Sequence, residues 1–388
     1  MREFSWNNAV TTALQAFPSL ISEDITIHNA VGRYLATDYT SLCDLPAFET
    51  SSMDGWAISG DSPWKVIGEV TTGKKSEQHI GKSECLAIAT GGVIPDGATA
   101  VIPWEKVTEK DGLVFGEIDS GANIRPAGME SREGDLLAKA GTKINPPLAG
   151  LLAATGHDVI KVTRTPKVAI FFLGDELIHS GVPVDGAIRD ALGPALPSFV
   201  RAYGADVISA TFVKDDLEQL NNEISGVLDS VDLIITTGGT ADGPRDYIKP
   251  AVAYFNGQLA IDCVKVRPGY HVLLASIEKN SGNVPLLALP GNPQSALAAF
   301  TSIGRPLISG LLGAHLTELS EIELGEGVKT PDGFSRLVPG ILNGKKFIQS
   351  GYLGSAMLRG VAQAEGFAIV DPGENPAGST ARWLPFPF

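Results

Sequence analysis

Between residues 165 and 313 the chain alternates apolar runs with helix-like segments, and this alternation constrains the fold more than any other feature. The run KVAIFFLG is almost continuously apolar, which is typical of a strand covered on both faces. ADVISATFV and VDLIITTGG follow, separated by a segment with apolar residues on one helical face. VPLLALPGNPQSALAAF repeats the order of strand, turn and helix, with Asn292 as cap and Pro293 at the first helical position. The pattern predicts a doubly wound α/β domain.

The regions before and after residues 165–313 show different patterns of apolar residues and turn residues. Ser5 is placed to cap an opening helix, and a second helix is predicted after Pro146-Pro147 with Gly156 as its stop. From about Asp44 short alternating runs such as WKVIGEV and ECLAIAT predict a small β domain. The tail from about residue 314 returns to short β runs, which indicates a second β barrel or sandwich.

Length and composition narrow the class of protein. A chain of 388 residues is long enough for two to four domains, and its 44% apolar content is ordinary for a globular protein. The apolar runs have the length of strands, so no direct membrane insertion is expected. The first residues do not resemble an export signal, and the three cysteines are scattered. We therefore expect a cytoplasmic protein with reduced thiols.

The net charge of −14 argues against nucleic-acid binding, which needs a basic surface. It does not argue against an anionic small molecule, because a few clustered cations can dominate the field inside a cleft. No Ser-His-Asp set, HExxH motif or Walker A motif is present, and the six histidines show no ligand spacing.

Three predicted strands of the α/β region end in loops that contain glycine. These loops are FLGDE at 172–176, TTGGTADG at 236–243 and LPGNP at 289–293. Ligands of open α/β sheets bind beyond the carboxyl ends of the strands, and glycine lets the backbone approach a phosphate closely. A single loop of this kind is more often an ordinary turn, but three of them followed by charged or amide residues favour a binding site.

Charged residues near these loops predict what the site would bind. Asp175, Glu176, Asp190 and Asp246 would lie near one edge of the sheet, where carboxylates repel unless a hard cation such as Mg²⁺ joins them. The cations that could hold phosphate or another oxyanion are Arg189, Arg245, Lys249, Lys265 and Arg267. Taken alone, Lys249 and Asp175 are more simply interpreted as solvated surface residues.

Several motifs resemble one known family. DLPAFETSSMDGWA (44–57) is similar to the D-x-P-x-F-x-x-S-x-M-D-G-[YF]-A signature of molybdopterin molybdenumtransferases, the group of MoeA and the gephyrin E domain. TGGVIPDGATAVIPWE (90–105) resembles a second stretch of that family. NIRPAGME, GDLLAKAGT, FLGDEL, TTGGTADGPRDY, RPG and LPGNPQSAL follow in the family's order, so the likeness spans nearly the whole chain.

The resemblance implies a four-part chain and a homodimer. Its parts would be a helical and β linker (1–40 with 138–164), a β domain (41–137), the α/β molybdopterin-binding domain (165–313) and a carboxy-terminal β barrel (314–388). The active cleft would lie between the α/β domain of one subunit and the 41–137 domain of the other. The implied reaction takes adenylylated molybdopterin and molybdate, uses Mg²⁺ or another divalent cation, and yields molybdenum cofactor and AMP.

The resemblance also assigns roles to individual residues. The implied catalytic residues are Asp54, Glu130, Glu176, Asp190 and Asp246, of which the last three would also bind the metal. The implied substrate-binding residues are Thr90, Gly238, Gly239, Arg245, Arg267, Gly291 and Asn292. Asp54, Thr90 and Glu130 would come from the partner subunit. Carboxylates would hold the metal against the bridging phosphates, while cations and glycine amides would seat the anionic ends.

Several positions depart from the family pattern by losing a hydrogen-bond donor. The replacements are Phe172-Leu173 in the S-T-G-D-E motif, Ala191-Leu192 in Y-D-[ST]-N, Ala241 in G-G-V-S-x-G, Tyr270 in P-G-K-P and Cys263 at a further lysine position. Glu130 stands where the family has an aspartate. Each lost donor would cost about 1–3 kcal/mol of binding, so the acidic framework is better retained than the pterin pocket.

These losses leave a second hypothesis open. The chain would then be a catalytically degraded, gephyrin-like dimeric scaffold that binds a peptide of a cytoskeletal, cell-division or membrane-receptor partner. The peptide would dock on residues 314–388, around the segment GYLGSAML.

Overall fold

The structure is a computed structural model that describes residues 3–71, 73, 74, 76–240, 243, 246–280 and 282–388. Within these residues, three six-stranded sheets dominate the architecture, and shorter two-stranded pairs join them. None of the helices described is both long enough and apolar enough to cross a bilayer.

The amino-terminal region contains the first of these sheets. Its elements are α1 (Trp6–Gln15), β1 (Ser22–Thr26), β2 (Tyr39–Thr40), β3 (Thr50–Ser51), β4 (Gly55–Ile58), β5 (Trp64–Glu69), β6 (Glu84–Ile88), β7 (Ala100–Pro103), β8 (Thr108–Lys110), β9 (Leu113–Phe115), β10 (Ile124–Arg125), β11 (Leu136–Ala138), α2 (Pro146–Ala154) and β12 (Val159–Thr163), with 3₁₀ turns at Ile27–Asn29 and Trp104–Lys106. The strand order is β7–β4–β6–β5–β9–β8. Ser5 Oγ accepts a hydrogen bond from the amide of Asn8 (3.4 Å), so α1 begins at the predicted cap.

Two antiparallel pairs bring distant parts of this region together. β1 pairs with β12 from Ser22 opposite Thr163 to Thr26 opposite Val159, and β2 pairs with β11. Residues before position 40 therefore pack with residues after position 135, around a small core that includes Leu35 and Leu152. The expected grouping of 1–40 with 138–164 agrees with this pairing, while the four domain boundaries stay a prediction.

The central region forms the second sheet. Its elements are β13 (Lys167–Leu173), β14 (Leu177–Ile178), β15 (Ile188–Arg189), α3 (Leu192–Ala202), β16 (Asp206–Val213), α4 (Leu217–Val227), β17 (Leu233–Thr237), α5 (Ile248–Tyr254), β18 (Gln258–Asp262), β19 (Val266–Arg267), β20 (Leu273–Lys279), β21 (Gly282–Leu289), α6 (Pro293–Ala299), a π-helical turn (Phe300–Gly304) and α7 (Arg305–Leu311). The strand order is β16–β13–β17–β21–β20–β18. The first four strands are parallel, and β20 runs antiparallel to both of its neighbours.

Helices cover both faces of this sheet, which confirms the predicted α/β fold. Alternate side chains of β13, such as Ile170 and Phe172, pack in a core with residues of α3, α6 and α7. The intervening residues, such as Phe171, pack in a second core with Leu220 of α4 and Ile248 of α5. Because successive side chains of a strand point to opposite faces, a strand buried on both sides must be apolar throughout. This explains the continuous apolar run of β13.

The carboxy-terminal region forms the third sheet. Its elements are β22 (Glu321–Leu324), β23 (Val328–Thr330), β24 (Ser335–Asn343), β25 (Lys346–Gln349), α8 (Leu358–Ala362), β26 (Gly366–Val370), β27 (Gly373–Asn375) and β28 (Thr380–Pro385). The order β24–β25–β22–β28–β26 closes on itself, because β26 also pairs with β24. The result is a small barrel around Phe347 and Trp383. The short strand β19 adds to β24 and ties the barrel to the central region.

Candidate functional site

A cavity of about 690 Å³ lies at the carboxyl ends of the parallel strands β13, β17 and β21. It occupies the place where open α/β sheets bind their ligands. Most of the site residues that the sequence suggested in the α/β region line it together. These are Glu176, Asp190, Gly238, Gly239, Asp246, Gly291 and Asn292. We call this space the glycine cavity.

The glycines let two loops meet at the floor of this cavity. Gly238 and Gly239 have φ of 86° and 64°, a backbone conformation that strains other residues. A Cβ added at Gly291 would lie 3.5 Å from the Cα of Gly238. The amide of Gly238 donates to the carbonyl of Leu289 (2.9 Å), which joins the ends of β17 and β21. Larger side chains here would fill the space that the cavity provides for a ligand.

Among the described residues, four carboxylates line the glycine cavity, Asp215 and the three that the sequence suggested, and those three are held differently. Asp190 caps α3, since its Oδ1 accepts hydrogen bonds from the amides of Leu192 (2.9 Å) and Gly193 (3.0 Å). Asp246 Oδ2 accepts one from the amide of Gly243 (2.6 Å). Glu176 is exposed at the mouth of the cavity. Asp175, which the sequence also placed at this edge, is not among the lining residues and instead accepts a bond from the amide of Asp215 (3.3 Å).

A metal centre made only of protein side chains is not present in the part of the chain that the structure describes. No three histidine, cysteine, aspartate or glutamate side chains of those residues are placed to hold one ion. Glu176, Asp190 and Asp246 line one cavity without forming such a cluster. Their assignment as metal ligands therefore stays a prediction.

A second cavity, of about 520 Å³, carries positive charge. Its lining includes Arg267, Lys329, Arg336 and Ser355, and no acidic residue is among the described residues that line it. Lys329 is already paired with Glu374 (2.7 Å), and Arg336 donates one hydrogen bond from Nη1 to the carbonyl of Lys329 (3.0 Å), so the two arginines are the lining cations without an acidic partner among the residues that the structure describes. In a chain with a net charge of −14, such a pocket suits a small oxyanion. We call it the cationic cavity.

Strand pairing and aromatic packing place Arg267 at this cavity. Arg267 of β19 lies opposite Arg336 of β24. Its guanidinium carbon is 5.0 Å from the ring centre of Tyr270 and 5.1 Å from that of Phe334, within the range of cation–π attraction. Tyr270 in turn donates a hydrogen bond from its hydroxyl to Glu3 (2.5 Å), and this bond raises the pKa of Tyr270 to about 12.

The other cations that the sequence suggested have separate positions. Arg189 lines the glycine cavity. Lys249 pairs with Asp262 (3.1 Å) and Lys265 pairs with Glu3 (3.1 Å), so both are engaged in ion pairs within the chain. Arg245 lies outside the described residues.

The site residues predicted in the amino-terminal region lie apart from the glycine cavity of their own chain. Asp54 Oδ1 accepts hydrogen bonds from the amide (2.6 Å) and the hydroxyl (2.8 Å) of Thr90. Both bonds favour the charged carboxylate and so hold the pKa of Asp54 below its usual value. The bond from the amide has the larger effect, and the bond from the hydroxyl adds to it. Glu130 lines a separate depression with Arg125 and Met129. Asp54, Thr90 and Glu130 are absent from the lining of the glycine cavity.

Family models match the chain in three consecutive stretches. The MoeA N-terminal region (domains I and II) matches residues 4–156, a probable molybdopterin binding domain matches 169–310, and the MoeA C-terminal region (domain IV) matches 321–386. The molybdopterin molybdenumtransferase of a Nostoc species is 31% identical over 305 residues, which cover 75% of this chain and 70% of that protein. The chain belongs to the molybdopterin molybdenumtransferase family.

Two further relatives of this family match nearly the whole chain. The molybdopterin molybdenumtransferase of Staphylococcus aureus (strain COL) is 27% identical over 370 residues, 90% of this chain and 87% of that protein. The crystal structure of a MoeA protein of molybdopterin biosynthesis from Pyrococcus horikosii is 26% identical, with a TM-score of 0.81 and 99% of each chain covered. These comparisons name transferases and biosynthetic proteins, and nothing in them supports the scaffold hypothesis.

Four of the departures from the family pattern are explained by packing, whereas Ala241 lies outside the described residues. Phe172, at a position where the family usually has a hydroxyl, is 1% exposed and stacks on Phe212 with ring centres 5.0 Å apart. Leu173 is 5% exposed and lies at the cavity edge. Leu192, the first residue of α3, is buried in the core on that face of the sheet. Tyr270 supports Arg267 by its ring instead of supplying a lysine amine. Packing contacts have therefore replaced several polar ones.

Sequence reasoning missed most of the cationic cavity. Arg336 and Lys329 fall in the tail that was interpreted only as short β runs, and Ser355 falls in GYLGSAML, which was interpreted only as a segment for docking a peptide. The pairing of β19 with β24, which places Arg336 beside Arg267, joins residues far apart in the chain. The one signal available was the arginine in the strand run GFSRLVPG, and no local pattern connects it to Arg267.

Proposed function

We propose that this protein transfers molybdenum from molybdate to adenylylated molybdopterin, with release of AMP, as a step in the biosynthesis of molybdenum cofactor. The observation that carries the proposal is the glycine cavity, where two glycine loops and three carboxylates of the family motifs meet at the carboxyl edge of the sheet. Membership in a family whose relatives are named molybdopterin molybdenumtransferase supports it.

The glycine cavity is the proposed site of the nucleotide. The glycines at 238, 239 and 291 leave room for a phosphate to approach the main chain. Arg189 and Asn292 line the same space and offer polar donors to the anionic groups. The apolar wall of Leu173 and Leu177 would exclude water from one side of the pterin.

A divalent cation, Mg²⁺ or another, is proposed at the same place. The donor set fits a hard ion, since Glu176, Asp190 and Asp246 all present carboxylate oxygens. Mg²⁺ usually takes one or two protein carboxylates and completes its shell with water and substrate phosphates. Carboxylates spread around a nucleotide cavity suit this kind of coordination better than a cluster that surrounds the ion with protein ligands. When bound, the cation would withdraw charge from the phosphate linkage that is cleaved.

The cationic cavity is the proposed site of molybdate. Molybdate is a small tetrahedral dianion, and Arg267 and Arg336 face a common space with the hydroxyl-bearing Ser355. Planar guanidinium groups bind oxyanions through paired N–H donors, and they keep their charge at any physiological pH. Two arginines and a hydroxyl supply enough donors for such an ion.

We also propose that the protein acts as a homodimer in the cytoplasm. Asp54, Thr90 and Glu130 belong to the family motifs, yet they do not line the glycine cavity of their own chain. A second subunit would supply them. Large apolar side chains that are exposed in the same 41–137 region are consistent with a buried interface. These side chains are Leu42, Phe48, Met53 and Met129.

The proposed function is tested by reconstitution with adenylylated molybdopterin, molybdate and Mg²⁺. We expect molybdate-dependent release of AMP, and a loss on the order of a hundredfold in kcat for Asp246→Asn. Asp229→Asn is a matched control, because Asp229 is exposed at the end of α4, where it accepts a bond from Asn280. No molybdate-dependent AMP release by the wild-type protein would refute the proposal. An equal effect of both substitutions would refute the role of Asp246.

A further inference from the structure

The glycine cavity and the cationic cavity share a short stretch of chain, residues 353–358, which we call the dividing loop. Leu353 and Ser355 line the cationic cavity. Ala356 and Leu358 line the glycine cavity. One loop therefore presents successive residues to two different spaces, and its conformation decides how both are shaped.

The dividing loop is folded as a tight turn against the start of helix α6. The amide of Met357 donates to the carbonyl of Gly354 (2.8 Å), which closes the turn. The amide of Ser295 donates to the carbonyl of Ser355 (3.1 Å). The side-chain amide of Asn292 lies within 3.4 Å of Ser355 Oγ. Contacts from the first turn of the helix thus reach the middle of the loop.

Gln294 holds both ends of this turn. It lies on the first turn of α6 and its residue surface is fully buried. The end of its side-chain amide lies against the carbonyl oxygens of Gly354 (3.0 Å) and Met357 (2.7 Å), and because only the amide nitrogen can donate to carbonyls, we assign the orientation in which the nitrogen faces both. A buried amide without acceptors is costly, so these two carbonyls and Gln294 constrain one another. The contact is specific, because an apolar side chain of the same length offers no donor.

We propose that Gln294 is a positioning residue that keeps the dividing loop in place between the two cavities, so that the Ser355 hydroxyl stays directed at the oxyanion. The inference rests on the proposed function, since it takes the cationic cavity as the molybdate site. Gln294 is not among the residues that line either cavity, so it would act only through the loop. Loss of its two hydrogen bonds would loosen Ser355 and weaken molybdate binding, while the nucleotide would keep the remaining walls of the glycine cavity.

The test compares Gln294→Met with Thr301→Val. Methionine keeps the length and burial of the side chain but removes both donors. Thr301 is a matched control, because it is fully buried and its Oγ1 donates to Leu297 O (2.7 Å), away from the dividing loop. In Gln294→Met we expect amides of residues 353–357 to exchange with solvent about tenfold faster. The KM for molybdate should rise about tenfold, with kcat at saturating molybdate within about threefold of the wild type.

The outcomes separate this inference from the proposed function. Unchanged exchange in Gln294→Met, or the same change in Thr301→Val, would overturn it. Faster exchange with an unchanged KM for molybdate would also overturn it. If the wild-type protein releases no AMP, the proposed function fails, and direct calorimetric titration with molybdate then replaces the KM. A weaker titration for Gln294→Met than for Thr301→Val would still support the inference, whereas equal titrations, or no binding by the wild type, would reject it.

Discussion

Arg267 shows how neighbouring side chains adapt to one charged residue. Its guanidinium lies near the rings of Tyr270 and Phe334, and Tyr270 is anchored by a hydrogen bond to Glu3. Glu3 also pairs with Lys265, so the extreme amino-terminal segment is joined to the edge of the cationic cavity. Tyr270 stands where the family has a lysine. It therefore helps to orient Arg267 and does not supply a positive charge of its own.

Substitutions at Tyr270 distinguish the ring from the hydroxyl. Tyr270→Phe keeps the ring beneath Arg267 and removes the bond to Glu3, so we expect molybdate affinity within about twofold of the wild type. Tyr270→Ala removes a cation–π contact worth about 0.5–2 kcal/mol and should weaken molybdate several-fold. Calorimetric titration measures both. If phenylalanine weakens binding as much as alanine, the hydroxyl and not the ring is what positions Arg267.

At the scale of a single element, helix α3 depends on a carboxylate that also lies in the glycine cavity. Asp190 accepts hydrogen bonds from the first amides of the helix and lines the cavity at the same time. A carboxylate at a helix start is favoured by the helix dipole. The hydrogen bonds to the helix amides therefore hold this charge at the edge of the cavity.

Two substitutions at Asp190 separate capping from charge. Asparagine still accepts amide hydrogen bonds, so Asp190→Asn should retain most of the stability and lose activity if the charge is used in the reaction. Asp190→Ala should lose activity and also about 1 kcal/mol of stability. Scanning calorimetry and AMP release measure the two effects. Full activity in Asp190→Asn would show that Asp190 serves the helix alone.

At the scale of the whole molecule, the family motifs fall into two groups of residues. Asp54 and Thr90 are joined to each other in the amino-terminal β region. Asp190 and Asp246 lie in the glycine cavity of the α/β region. If the active site is shared between subunits, each site needs one group from each chain.

Mixing two inactive variants tests this sharing. When Asp54→Asn and Asp246→Asn subunits exchange freely, half of the dimers are mixed, and each mixed dimer contains one site with no substitution. About a quarter of wild-type activity should therefore return. Differently tagged subunits confirm that mixed dimers form. Mixed dimers without activity would contradict a shared site and would place all the required residues in one chain.

The sequence by itself predicted the α/β sheet and the location of its ligand site. Continuous apolar runs ending in glycine loops are local patterns, and in a parallel sheet the carboxyl ends of the strands meet at one edge. Gly238, Gly291 and Asp246 were therefore placed in one cavity by reasoning along the chain, and the structure brings them together. The same reasoning named Lys249 among the cations that could hold an oxyanion, although taken alone it was interpreted as a solvated surface residue, and the structure pairs it with Asp262.

Only the tertiary structure decided what depends on contacts between distant segments. The pairing of β19 with β24 brings Arg336 to Arg267, and the packing of α6 against the barrel brings Gln294 to the turn at Gly354. Neither contact leaves a periodic signal, because each joins single residues from elements far apart in the chain. Local periodicity determined which segments became strands and helices, and long-range packing determined which side chains share a cavity.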